Sequence, residues 1–284
     1  MIRIITDSTC DLERSEWKAL DLTVLSLTIN FGARVFKDGR DLSHADFYDM
    51  LAKAQKLPTT SQVNPGEFED VFTKYVEQGD EIVGIFIASD LSGTMQSALI
   101  AANAVDPEKI FIVDSRSASF GMALLIREAA RMRDTGKYTA AEIARTVQKL
   151  ALRLRIYAVV DTLKYLKMGG RISGGAAAIG GLLGILPVVE VYNGKVQSID
   201  KTRGEKGGKK ALLQLFQKYE PDFEYGVAFG HSNVPDRMKA YMDYFRPHIP
   251  VTMRSIHTSG IGSVIGTHTG PGVVGVAFIS KEKN

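Results

Sequence analysis

Hydrophobic positions along this chain follow two rhythms. Short stretches weighted toward apolar residues read as strands, and Ile82 to Ala88 has the length and β-branched content of one buried on both faces. The stretches are Ile2 to Thr6, Val24 to Asn30, Ile82 to Ala88, Ile110 to Val113, Ile156 to Val160, Tyr225 to Phe229, Val251 to Ile256 and Val273 to Ile279. Between them lie segments with helix-start chemistry. Asp11 is placed to cap a helix through Leu20, and Ser43 with Asp46 to cap one through Ala54. Asn64, Pro65 and Glu67 form a helix start of cap, N1 proline and N3 acid. Met95 to Ala104 and Phe120 to Arg133 read as helices, the second stopping near Gly136. Thr139 and Glu142 make a capping box that opens a helix to about Leu152.

The first half therefore alternates strand and helix, which predicts an α/β fold with a mainly parallel sheet covered on both faces. The second half changes character. Asn193-Gly194, between Pro187 to Val191 and Lys195 to Ile199, is a strong hairpin signal. Pro235 to Phe245 reads as a helix. We expect an N-terminal α/β domain over 1–155 and a C-terminal one over 156–284.

Composition narrows the class. The chain has 284 residues, enough for one large or two medium domains with a proper core. Its net charge of +3 is small for this length and gives no reason to expect nucleic acid. The single cysteine, Cys10, rules out an internal disulfide and a cysteine-rich metal site. No signal-peptide pattern opens the chain, and the apolar run from Ala176 to Pro187 is broken by glycines and too short to span a bilayer. A cytoplasmic location is expected.

Candidate chemistry sits where strands end. After Ile82 to Ala88 come Ser89-Asp90-Leu91-Ser92-Gly93-Thr94, then a helix. A hydroxyl-rich turn leading into a helix N-terminus offers unpaired N–H groups and a positive dipole end to a small anion. Equally, Ser89 or Ser92 would serve simply as an N-cap. Thr59-Thr60-Ser61-Gln62 is extended and polar, either a plain connection or a ligand-facing loop. Gly169-Gly170-Arg171 ends a short helix and presents an arginine. Ala176 to Ile185 reads as buried helix or cavity wall. The basic stretch Lys201 to Lys210 is a solvated helix start or a surface for an acidic partner. His268, set among Gly266, Thr267, Thr269, Gly270 and Pro271, has little to pack against, so it stands as an anion ligand, a general base or a phosphoryl acceptor.

Taken together these pieces resemble the DegV family of bacterial fatty-acid-binding proteins. The matching motifs are Asp7-Ser8-Thr9-Cys10-Asp11-Leu12, Thr60-Ser61-Gln62 with Pro65-Gly66-Glu67-Phe68, Leu91-Ser92-Gly93-Thr94 with Gln96-Ser97-Ala98, and Asp114-Ser115. Leu163-Lys164-Tyr165-Leu166, Gly169-Gly170-Arg171-Ile172-Ser173 and Gly266 to Gly272 complete them in family order. One departure is Val63-Asn64, where the family more often has Pro-Ser. The resemblance implies two α/β domains with a long-chain fatty acid between them, its acyl chain in an apolar tunnel. It implies head-group contacts at Thr60, Ser61, Ser92, Gly93, Thr94, His268, Thr269 and Gly270, with Arg171 and Arg203 near the tunnel mouth. It further implies no cofactor, and a separate fatty acid kinase that phosphorylates the bound acid, making this chain a non-catalytic carrier. Contact with a membrane surface would be transient at most.

The residues themselves are compatible with that reading. A carboxylate suits a helix N-terminus lined by hydroxyls. Each acyl CH₂ buried in a dry cavity contributes about 0.8 kcal/mol. Ala176 to Leu186 is the expected wall. The competing reading is an acyl hydrolase or phosphoryl-transfer enzyme using Ser92 and His268, although Ser92 lacks a Gly-x-Ser-x-Gly frame. A third makes the chain an interaction domain working through Lys201 to Lys210.

Overall fold

The structure, a computed structural model, describes residues 1–173, 184–250 and 256–282. In chain order it runs β1 (Ile2–Asp7), a 3-10 turn (Ser8–Cys10), α1 (Arg14–Ala19), β2 (Leu22–Leu25), β3 (Thr28–Phe31), β4 (Arg34–Lys37) and α2 (His44–Lys53). Next come β5 (Thr59–Ser61), α3 (Pro65–Glu77), β6 (Glu81–Phe86), α4 (Thr94–Val105), β7 (Ile110–Asp114), α5 (Ser119–Asp134) and α6 (Ala140–Arg153). The second part holds β8 (Leu154–Val159), α7 (Lys164–Met168), β9 (Ile185–Tyr192), β10 (Lys195–Arg203), α8 (Gly204–Lys218), β11 (Val227–His231), α9 (Pro235–Phe245), β12 (Ile256–Gly260), α10 (Ser263–Thr269) and β13 (Val274–Ile279).

Two large sheets organise the molecule. The first is parallel, in the order β2-β1-β6-β7. The second is mixed, in the order β10-β9-β8-β13-β11-β12. A small antiparallel sheet, β4-β3-β5, flanks the first. The mixed α/β architecture agrees with the sequence pattern.

Alternation along the strands explains the layering. Ile4, Val83, Ile85 and Val113 face a cluster built on α5 and α6, while Ile5, Ile82 and Phe86 face one built on α2 to α4. The same α5 and α6 also pack against Ile156, Ala158, Ala228, Ala277 and Ile279 of the second sheet. That sheet's opposite face, with Tyr157, Val159, Val227, Phe229, Val276 and Phe278, is covered by α8 and α9. One pair of helices is thus shared by both sheets. This is why α5 is buried nearly all round, from Phe120 through Ile126 to Met132.

Local signals formed where the sequence placed them. Ser43, Asn64 and Thr139 each accept the N3 backbone N–H of their helix, and Thr139 with Glu142 closes the capping box. Other expectations need correction. Asp11 does not cap α1; it adopts φ 52° at the end of the 3-10 turn, and α1 begins after Glu13. Val24 to Asn30 is not one strand. It breaks at Ser26-Leu27, where the Leu27 N–H donates to Ser8 Oγ at 3.1 Å, and the chain passes from the first sheet to the small one. The polar Thr59-Thr60-Ser61 segment is a strand rather than a loop, paired to β3. Lys201 to Arg203 extend β10, so the basic stretch is strand end and helix start. The expected wall from Ala176 to Leu186 lies outside the described residues except for its last three positions, as does most of Val251 to Ile256.

Candidate functional site

Two loops gather at the carboxyl ends of the parallel strands, the position where open α/β sheets place ligands. The β6–α4 loop carries Leu91, Ser92 and Gly93. The β7–α5 loop brings Ala118 and leads into Ser119 and Phe120. The second sheet leans over them with Ile156, Ala158 and Val160 of the β8 segment and Val189, Val191 and Val196 of the β9–β10 hairpin. From the far side α10 contributes Val264, Ile265, His268 and Thr269. Between these walls is a cavity of about 390 Å³. Ligand pockets typically run to roughly 300–1,000 Å³.

The cavity lining is mostly aliphatic, and apart from Ser119 its polar groups gather where β5, α10 and the start of α4 meet. β5 presents Thr60 and Ser61 there, α10 presents His268, and the start of α4 presents Ser92 and Gly93. Thr60 Oγ1 lies 3.0 Å from His268 Nε2, a contact between residues 208 apart in sequence. His268 Nδ1 is buried and has no hydrogen-bond partner among the described residues. Burial, reinforced by the nearby Arg171 guanidinium, lowers the imidazole to about 4, so at neutral pH it is uncharged. Its ring packs against Gly169, where any Cβ would collide with Nδ1. The glycine pair of the sequence thus makes room for the histidine. Arg171 is held at the cavity by its own chain, donating from Nε to Leu91 O at 3.2 Å and from NH1 to Gly169 O at 2.7 Å.

At the start of α4, Ser92 Oγ lies 2.9 Å from Thr94 Oγ1 and accepts the Thr94 N–H at 3.2 Å. Ser97 N–H is bonded back to Gly93 O at 3.0 Å, so the amides between belong to the first turn, which an α-helix leaves without internal acceptors. Gln62 ties β5 to this helix start: its Nε2 donates to Gly93 O at 3.2 Å and to Ser97 Oγ at 2.8 Å. A side chain on Gly93 would strike the Gln62 amide.

Seven of the residues singled out from sequence line the cavity: Thr60, Ser61, Ser92, Gly93, Arg171, His268 and Thr269. Three do not. Thr94 is fully buried behind Ser92. Gly270 ends α10 at φ 72°, under the Tyr165 ring, where a Cβ has no room. Arg203 is exposed at the junction of β10 and α8. Thr269 Oγ1 donates to Ile265 O at 3.1 Å, inside its own helix. His268 stands on a helix and is mostly buried, contrary to the expectation that it had little to pack against. Sequence reasoning gave no role to Ser119, a cavity residue at φ 54°, and nothing in its neighbours' identities marks it. Ser92 and His268 share no hydrogen bond, each being joined to a threonine instead. Among the described residues no cluster of His, Cys, Asp or Glu is arranged to hold a metal ion, and no helix is long and apolar enough to cross a membrane.

Known proteins resemble this chain in both sequence and fold. A DegV domain-containing protein of Caldanaerobacter subterraneus is 35% identical over 281 residues, covering 99% of each chain. One from Clostridium perfringens is 38% identical over 291 residues, covering 99% of this chain and 98% of the relative. Among solved structures, a Thermus thermophilus DegV family protein described as fatty-acid-binding superposes with a TM-score of 0.89 at 29% identity, covering 99% of both chains. A stearic-acid-binding protein of Eubacterium ventriosum superposes with a TM-score of 0.87 at 29% identity, again over 99% of both. The family model described as "Uncharacterised protein, DegV family" matches residues 1–281. With relatives matched from end to end in sequence and in fold, this chain belongs to the DegV family.

Proposed function

We propose that this protein binds a long-chain fatty acid, with the acyl chain in the apolar body of the cavity and the carboxylate at its polar end. The observation that carries this reading is the shape of the polarity: aliphatic walls closed at one end by the Thr60–His268 pair and the start of α4. A neutral histidine paired with a threonine supplies hydrogen bonds to a carboxylate. Ser61, Ser92 and the first-turn amides of α4 add donors, and the helix dipole favours the negative charge. Thr94 acts through Ser92, and Gly270 by ending α10 where His268 needs it. The relatives of solved structure described as fatty-acid-binding support the ligand class.

In this reading the protein is a carrier that presents the carboxylate to a separate kinase for conversion to an acyl phosphate. Arg171 beside the head group and Arg203 at the start of the basic helix α8 are the residues we assign to that meeting. We keep the division into parts 1–155 and 156–284 as a proposal, with β8 of the second sheet beginning two residues before that boundary, at Leu154, and a cytoplasmic location suits a partner that uses nucleotide triphosphate. A hydrolase built on Ser92 and His268 has less support, because the two side chains are bonded elsewhere and His268 Nδ1 faces no carboxylate orienter.

Native mass spectrometry of the purified protein, followed by lipid extraction, tests the proposal. A long-chain fatty acid at one per chain is the expected result. A protein that arrives empty and takes up no added oleate would overturn it.

A further inference from the structure

The wall that carries His268 is tied to the rest of the molecule by carboxylates. Among the described residues, α10 receives its first backbone contacts from far away in sequence: Ser263 N–H donates to Asp38 Oδ1 at 3.2 Å, and the Gly262 backbone lies against Asp11. On its other side Asp11 accepts from Ser119 Oγ, a residue of the opposite cavity wall. Tyr48 OH donates to Ile261 O at 3.0 Å, and Ser259 Oγ to Asp11 O at 2.6 Å. Asp11 and Ser119, which meet here, are both non-glycine residues at positive φ, a conformation that surrounding contacts must enforce. Asp11, Asp38 and Asp7 are all buried.

We propose that Asp11 and Asp38 are positioning residues that latch α10, and with it His268, against the start of α5, and so set how readily the cavity wall opens to exchange its ligand. The ligand part rests on the fatty-acid reading above; the latch does not.

The groups facing the latch are Asp7 at the end of β1, Cys10 in the 3-10 turn, and His44 and Tyr48 on α2. Among the described residues, no ion pair involves Asp7, Asp11 or Asp38. Burial accordingly pushes Asp7 and Asp38 up to about 6, and burial with the Asp38 charge pushes Asp11 well above the carboxylate range. The sign follows from linkage. A carboxyl raised in the closed form binds its proton more tightly there, so the closed form gains weight on acidification and loses it as the pH rises through about 6. Taking Asp38 at about 6 when closed and at the ordinary 3.8 when hydrated, the closed form loses about tenfold in weight between roughly pH 5 and pH 7.5.

The test is hydrogen–deuterium exchange of the α10 amides in the full chain, corrected for the intrinsic pH dependence of exchange. Protection in the wild type should be about tenfold greater near pH 5 than near pH 7.5. Asp38→Asn and Asp11→Asn mimic the protonated side chains, and asparagine tolerates the φ of position 11. Either variant should show at pH 7.5 the protection the wild type reaches only at pH 5. At that same pH the Asp38→Asn variant should release parinaric acid about tenfold more slowly. Protection that ignores pH in the wild type, or falls in the variants that fold, would overturn the latch, and the wild-type profile alone decides if neither variant folds. Correct exchange behaviour with no parinaric acid retained by any form would refute the fatty-acid reading and leave the latch standing.

Discussion

Filling the cavity should shorten the acid it accepts. Val189 and Val191 sit two apart on β9 and turn the same face to the cavity, while Val188, on the alternate face, belongs to the outer cluster. Val189→Phe adds four carbons to a wall that is 4% exposed and faces open space. If those carbons occupy volume that the acyl tail would fill, about four CH₂ groups lose their burial. At about 0.8 kcal/mol each that is ~3 kcal/mol, or roughly two orders of magnitude in Kd. Because the new ring fills a void, the ligand-free variant should melt no lower than the ligand-free wild type. The assay is a fluorescence-displacement series with delipidated protein and saturated acids of graded length. Long acids should bind far more weakly to the variant, and acids about four carbons shorter should recover most of the loss. Equal affinity for every length in both proteins would refute the placement of the acyl chain. A uniform loss at all lengths would refute it too, since that pattern marks damage at the head-group end.

Two further predictions concern that end. The His268 imidazole, lowered to about 4 by burial and Arg171, cannot take the proton that an unfolded histidine binds below about 6.5. Its contribution to stability therefore falls as the pH drops from about 6.5 toward 4, and a bound carboxylate should raise the imidazole's pKa and narrow that window; an NMR titration showing no rise on loading with oleate would remove the contact. Gly93→Ala should displace the Gln62 amide and its two hydrogen bonds, at about 1 kcal/mol each, and weaken ligand binding by separating β5 from α4. Most of that penalty should disappear in a Gln62→Ala background, as a double-mutant cycle in urea denaturation would show.

What could be read from the sequence was what short stretches decide. Thr139 with Glu142, and Asn64 with Pro65 and Glu67, formed the caps their spacing demands, since every partner lies within one turn. Apolar runs such as Val83 to Phe86 became strands because no other element buries them on both sides. Edge strands were harder: Arg34–Lys37 and Thr59–Ser61 carry no hydrophobic alternation, and only their pairing with β3 makes them strands. The site was legible as a set of residue types and illegible as contacts. Nothing local to Thr60 announces His268, and nothing near Asp38 announces Ser263, 225 residues later. Gly169 is the instructive case: its identity reads as a helix stop, yet the structure needs it small because an imidazole lies against it.

The helices α5 and α6, shared between the two sheets, bear on how the chain folds. Each sheet buries one of its faces only by leaning on this common layer, and α5 has no solvent side of its own. A polypeptide ending near residue 155 would leave the outer surface of that layer bare, and one beginning there would leave the inner face of the second sheet without a cover. Neither half then has a closed hydrophobic core, so the two should form and dissolve together as one cooperative unit, with the protein melting in a single transition. The division visible in the strand order is one of geometry, and the molecule's thermodynamics should not follow it.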